Sequence, residues 1–190
     1  VEVAFYGGSF TGIDMEVQKN LLSVPLKYKA KNKIDGIRLS TRPDYIDEKV
    51  LNLLKKYKVD TIELGVQSLK DEVLNKSGRG HSSRQVFDAA KLIKDYGFNL
   101  GLQMMIGLVG DTKENAIYTA KEFIKLDPYC VRIYPTLVIK DTYLEKMYNK
   151  GVYNPLSLEE SIDITTDLLM LFEYHNINVI RVGLQPTDNI

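Results

Sequence analysis

Apolar and β-branched runs recur near residues 1–6, 36–40, 60–66, 99–106, 130–134 and 177–182, and their lengths predict six strands. Between them apolar residues fall at helical spacing, with Val50, Leu51, Leu54 and Tyr57 in one stripe and Val86, Ala90 and Ile93 in another. Helix starts carry their own chemistry. Asp111 and Ser157 each stand three residues before a glutamate, Glu114 and Glu160, the spacing at which two side chains reciprocally satisfy orphan amide donors. Ser82 and Asp47 read as simpler caps. Alternating strand and helix defines the α/β class with a parallel sheet, because a helix must carry the chain back before a parallel neighbour can begin. The 135–157 stretch is the longest irregular connection, with a short helix expected from Thr142 to Asn149.

Polar and glycine residues cluster just after the strands, at Gly7-Gly8-Ser9-Phe10-Thr11, Ser40-Thr41-Arg42, Gln67-Ser68 and from Gly107 onward. In a barrel-like array the carboxyl ends of the strands form one face, so such clusters converge on a single ligand. An open doubly wound sheet gathers only those beside its switch point. With no low-complexity tract and no Pro/Gly-rich linker, residues 1–190 read as a single domain.

Composition narrows the function. The 190 residues carry 25 basic and 25 acidic side chains, 44% hydrophobic content and one cysteine. A chain of this size buries roughly 70% of its unfolded surface, so it needs neither disulfides nor a structural metal. One thiol excludes a disulfide framework, a cysteine-based zinc site and an iron-sulfur cluster ligated wholly by this chain. Zero formal net charge argues against the broad basic field of a dedicated nucleic-acid binder. No apolar run approaches the roughly 20 residues that span a bilayer, and no leader begins the chain, which reads as a cytoplasmic protein without a membrane partner. The chain starts without Met inside the strand-like Val1-Glu2-Val3-Ala4-Phe5-Tyr6, the expectation for a piece of something longer.

Four segments can carry chemistry. Gly7 and Gly8 let the backbone turn sharply and offer its polar groups to a ligand, or else form a tight strand-to-helix turn capped by Ser9 or Thr11. No lysine in P-loop register follows, and the three spaced glycines of a dinucleotide fingerprint are absent. Glu63, Gly65 and Gln67 share one strand face; a carboxylate there requires a partner, with Arg38 or Arg42 in reach, while Gln67 can donate and accept toward a ribose or amino-acid head group. Arg79, between Gly78 and Gly80, is either a carboxylate clamp or the ornament of an exposed turn. Gln103, polar in an apolar run, is either a ligand contact or a hydrogen-bonded core residue, and Met105 suggests packing before adenine stacking. Lys27, Lys29, Lys31 and Lys33 read as a solvated connector first and a nucleic-acid contact second. His81 and His175 lack metal spacing and are assigned no role.

The order of these motifs resembles the radical S-adenosylmethionine superfamily, nearest to the radical domain of the elongator catalytic subunit and its short prokaryotic relatives, with oxygen-independent coproporphyrinogen oxidase more distant. The resemblance rests on Gly7-Gly8-Ser9-Phe10-Thr11, Thr41-Arg42-Pro43-Asp44, Glu63 to Ser68, Gly78-Arg79-Gly80-His81 and Met105 to Thr112. It runs on through Arg132 to Thr136 and Arg181 to Gln185. It implies a parallel-stranded partial TIM-type barrel whose first strand and cluster loop lie before Val1. It also implies S-adenosylmethionine as cofactor: Gly7, Gly8 and Ser9 on the methionyl amino group, Gln67 and Gln103 on ribose or methionyl groups, Arg79 at the carboxylate, Met105 beside adenine. Ser40 stands where relatives often carry a ligand-contacting acid, and Val109 replaces a common proline.

The main departure is the family's three-cysteine motif, absent here. The resemblance therefore implies a 4Fe-4S cluster held in the intact protein by ligands outside this chain, no catalytic or metal residue within it, and no activity of the chain alone. In the intact enzyme an external electron donor drives reductive cleavage to a 5'-deoxyadenosyl radical. An elongator-like reaction on an unassigned substrate comes first, with tRNA and then an anionic tetrapyrrole as alternatives. A rival from another class is a non-catalytic α/β ligand-binding domain.

Overall fold

The structure, a computed structural model, describes residues 1–184, so Gln185 lies outside the described residues. Its strands are β1 (Glu2–Phe5), β2 (Gly36–Thr41), β3 (Thr61–Gln67), β4 (Asn99–Ile106), β5 (Cys130–Pro135) and β6 (Val179–Val182). The helices between them are α1 (Met15–Lys29), α2 (Glu48–Lys56), α3 (Asp71–Lys76), α4 (Ser83–Asp95), α5 (Lys113–Leu126), α6 (Tyr143–Asn149) and α7 (Leu158–Tyr174). The strands follow one another in chain order, β1-β2-β3-β4-β5-β6, and the β1/β2, β2/β3 and β5/β6 pairs are parallel. A doubly wound sheet reverses its order at a switch point, and this sheet does not. Unreversed βα units are the order of a TIM-type barrel, and six of them make a partial one.

The chain divides into two compact units: Val1–Val66 with His81–Leu102 and Pro128–Cys130, and Gln67–Gly80 with Gln103–Asp127 and Val131 onward. In the first, Ile37, Leu39, Ile62 and Leu64 on the strands are fully buried with Leu51, Leu54 and Ile93 on α2 and α4, the stripes expected from their spacing. Asp47 caps α2 by accepting from the Val50 N–H at 2.7 Å, and Ser82 with Gln85 forms a complete capping box on α4. In the second unit, Ala116, Ala120 and Phe123 of α5 are buried, as are Leu168 and Phe172 of α7 and Ile133 of β5. Ser157 and Glu160 form the predicted box on α7, and α6 starts at its Thr142 cap.

Three expectations are corrected. The lysine run is not all connector: α1 extends to Lys29, so Lys27 and Lys29 occupy its last turn, where cations meet the negative end of the helix dipole. The buried face of α1 is Gln18, Leu22 and Pro25, and a polar residue and a proline on that face conceal the period; its cap is Asp14, whose carboxylate accepts from Glu16 and Val17. Neither Ser9 nor Thr11 caps it. The cap of α5 is Thr112, accepting from Asn115 N–H at 3.2 Å, rather than Asp111, whose carboxylate turns inward. Among the described residues no helix is long and apolar enough to cross a membrane.

Candidate functional site

The β3 alternation is as expected: Ile62, Leu64 and Val66 are fully buried on one face, and Glu63, Gly65 and Gln67 lie on the other. In the first unit this second face holds a saturated ionic network. Arg38 donates from Nη1 to Glu63 Oε1 at 2.8 Å and from Nη2 to Glu2 Oε2 at 2.7 Å, while the Tyr6 hydroxyl donates to the same Glu63 oxygen at 2.8 Å. Burial alone would lower the Arg38 pKa, but Glu63 and Glu2 outweigh it and raise it, so the guanidinium stays charged. Arg38 is thus the partner of Glu63; Arg42 is claimed by Asp44, two residues along, at 2.9 and 2.7 Å. Gly101 completes the packing: a Cβ there would stand 2.6 Å from Glu63 Cγ and 3.2 Å from Cys130 Sγ.

At the carboxyl ends of this unit's strands the chain is more open. A Cβ added at Gly7 or Gly8 would meet nothing within 4 Å, and Gly7 takes a left-handed φ of 99°. Phe5 and Phe10 close the turn with ring centroids 4.9 Å apart. Ser9 and Ser40 are half-buried, and their hydroxyls have no hydrogen-bond partner among the described residues.

The second unit brings the remaining residues into two pairs. Gln103 Nε2 donates to Gln67 Oε1 at 3.2 Å, and Gln67 is held at a left-handed φ of 69°, a conformation that costs a non-glycine residue about 1–3 kcal/mol and concentrates at functional sites. Arg79 Nη2 lies 3.1 Å from Met105 Sδ, while Arg79 Nε is buried without a partner among the described residues. Burial lowers the Arg79 pKa. Arg79 and Met105 line a cavity of about 570 Å³ with Leu108, Thr136, Leu144 and Met147, a volume within the range of small-ligand pockets. The Gln67–Gln103 pair does not line it.

Asp111, Thr136 and Tyr153 escaped sequence reasoning. The Gly107 N–H donates to Asp111 Oδ2 at 3.1 Å, and the Tyr153 hydroxyl donates to the Gly107 carbonyl at 2.7 Å. Gly107 itself, at φ 73°, is strained for any other residue, and a Cβ there would press on the Leu156 side chain at 2.7 Å. Thr136 Oγ1 donates to the Ile106 carbonyl at 2.8 Å. These contacts fix the loop carrying Leu108 and Val109 into the cavity wall. Burial pushes the Asp111 carboxyl up to about 6, against the backbone N–H groups of Thr112, Gly107 and Leu108 that favour its anion. Burial, with the Asp111 charge second, raises Tyr153. Every clue to this cluster is tertiary except the glycine at position 107.

These elements are those of a βα-barrel enzyme core with a ligand cavity on one unit. The model of the radical SAM superfamily matches residues 1–123 and that of the Radical_SAM C-terminal domain matches residues 128–190; the chain belongs to the radical SAM superfamily. A tRNA uridine(34) acetyltransferase of Methanocaldococcus infernus is 32% identical over 187 residues, covering 86% of this chain and 34% of that protein. Elongator complex protein 3 of Saccharomyces cerevisiae is 28% identical over 191 residues, covering 90% of this chain and 34% of that protein. The chain thus spans about a third of the length of these curated relatives. Among solved structures, M. infernus Elp3 with an N-terminal deletion superposes with a TM-score of 0.83 at 27% identity, covering all of this chain and 48% of that one. Escherichia coli coproporphyrinogen III oxidase shares the fold at a TM-score of 0.68 and 18% identity, over 92% of this chain and 40% of that one.

The superfamily works with S-adenosylmethionine and a 4Fe-4S cluster, and the residues present fit the two differently. The unpartnered Arg79 Nε at a cavity wall suits an anionic group on a ligand of S-adenosylmethionine's size. For the cluster, no group of three or more His, Cys, Asp or Glu among the described residues can hold a metal ion. Cys130, the sole cysteine of the chain, is buried with its Sγ 3.7 Å from Arg38 Nη1. A single thiol in that position does not make a cluster site.

Proposed function

We propose that this chain is the S-adenosylmethionine-binding core of a cytoplasmic radical enzyme whose substrate is tRNA. The observation that carries the reading is Arg79: a half-buried arginine in a cavity wall between left-handed glycines, its Nε buried without a partner among the described residues, pays a desolvation cost that a ligand anion would relieve. Arg79 would take the methionyl carboxylate, Met105 would lie against adenine, and the Gln67 and Gln103 amides would bond ribose or methionyl groups. In the first unit, Gly7, Gly8, Ser9 and Ser40 offer backbone and hydroxyl acceptors in open surroundings, chemistry suited to an ammonium group. When bound, S-adenosylmethionine would supply radical hydrogen abstraction, the electron coming from an external donor by way of the cluster of the intact protein. The chain's own work would be to bind, orient and exclude water, a role that needs no side chain here as general acid or base.

The tRNA assignment draws on the relatives named as tRNA uridine(34) acetyltransferase and Elongator complex protein 3. Titration calorimetry with S-adenosylmethionine tests the cofactor site. Arg79→Ala should weaken binding at least tenfold, and Gln67→Ala and Gln103→Ala each about fivefold, the loss of one or two ligand hydrogen bonds. Unchanged affinity in Arg79→Ala would sink the reading.

A further inference from the structure

The lysine run singled out in the sequence ends in an arrangement that the cofactor site does not use. The Lys29 ammonium reaches the Lys58 carbonyl at 2.9 Å, bringing the end of α1 against the end of α2. The Lys55 ammonium reaches the Tyr96 carbonyl, adding the end of α4. Three helix C-termini thus gather Lys27, Lys31, Lys33, Lys55, Lys56 and Lys58, all exposed, at the end of the first unit opposite Gly7 and Ser40.

Four lysines elsewhere are held in pairs, Lys19 with Glu16, Lys76 with Glu72, Lys91 with Asp95 and Lys125 with Glu122, while Lys121, Lys140, Lys146 and Lys150, unpaired among the described residues, lie on α5 and around α6. Among the described residues Lys27, Lys31, Lys33, Lys56 and Lys58 have no acidic partner. Of the acids at this end, Asp60 holds Lys29 and accepts the Ile37 N–H at 2.7 Å, and Asp95 holds Lys91, so Asp35 is the exposed carboxylate set against the lysines. Helix dipoles account for Lys27, Lys55 and Lys56, but the effect fades beyond the last turn, and Lys31, Lys33 and Lys58 lie past it. The chain's zero net charge conceals this local excess.

We propose that this lysine cluster is an RNA-docking surface that tracks a phosphate backbone without reading bases. Ammonium groups on flexible stems are point charges lacking the guanidinium fork that reads base edges. Tyr28, 54% exposed between Lys27 and Lys29, adds a ring on which a base can stack. The choice of RNA over an acidic protein rests on the tRNA reading above. The surface anchors the body of a folded RNA at a distance from Gly7 and Ser40, so it contributes affinity while leaving the chemistry untouched.

The test is fluorescence anisotropy with unfractionated tRNA over a salt series. Wild type is compared with Lys31→Gln/Lys33→Gln/Lys56→Gln/Lys58→Gln and with a control carrying Lys121→Gln/Lys140→Gln/Lys146→Gln/Lys150→Gln, all at exposed positions. Melting temperature and S-adenosylmethionine affinity should match wild type in both variants. The cluster variant should bind tRNA at least tenfold more weakly, with the slope of log K against log salt shallower by about three, while the control changes less than twofold. Equal losses in the two variants, or none in the cluster variant, overturn the surface while tRNA binding by wild type keeps the functional reading. No tRNA binding by wild type overturns both. Polyglutamate competing as well as tRNA would replace RNA by an acidic protein partner.

Discussion

Glu63 and Gln67 lie on the same face of β3, yet the polar groups around them are treated in opposite ways. Glu63 is 2% exposed and its Oε1 accepts from both Arg38 and Tyr6. Gln67 Oε1 accepts one neutral amide bond at 3.2 Å on a left-handed backbone, and elsewhere in the same unit the Arg79 Nε has no partner among the described residues. Saturated buried polar groups hold a structure in one arrangement, whereas unsaturated ones pay a desolvation cost that a ligand can relieve. The ionic network is therefore a lock, and the Arg79 cavity is its under-partnered counterpart.

The sharpest way to break the contrast is Glu63→Ala, which strands the Arg38 charge; it should cost about 3–5 kcal/mol by urea denaturation, and a loss below 1 kcal/mol would show that the network is ornamental. Gly101→Ala should follow at about 1–3 kcal/mol, since its Cβ would press on the Glu63 stem. On the open side, Arg79→Met should leave stability within about 1 kcal/mol of wild type or raise it, because the guanidinium is desolvated without full compensation; a loss comparable to Glu63→Ala would make Arg79 a second lock. Smallest is the Asp111 effect. Its folded-state pKa is raised, so the native state holds a proton the unfolded chain has released, and this contribution to stability falls as pH rises from about 4 to about 6. Asp111→Asn should remove that slope from a series of melting curves; an unaltered slope would show that Asp111 does not titrate there.

How far the fold was readable depended on whether the deciding contact was local. The β strands and α2, α4, α6 and α7 announced themselves through apolar runs, stripes and caps. α1 did not, because Gln18 and Pro25 sit on its buried face and its lysines resembled a connector. The site residues were legible as residue types at strand ends, but their pairing was not. Gln67 meets Gln103 across 36 positions, and Arg79 meets Met105 across 26. Arg38 and Arg42 were equal candidates for Glu63 until Asp44 took one of them. Asp111 looked like a cap because its neighbour Thr112 is equally able to be one, and burial decides between them.

The left-handed backbone of Gln67 has a consequence for directed evolution. A library at this position selected for heat resistance alone should be swept by glycine, which adopts that conformation without cost. The winners would melt higher and would lack the amide that pairs with Gln103. A screen that rewards durability would thus erode the very feature that distinguishes this strand end, and only a second selection for ligand retention would keep glutamine in the population.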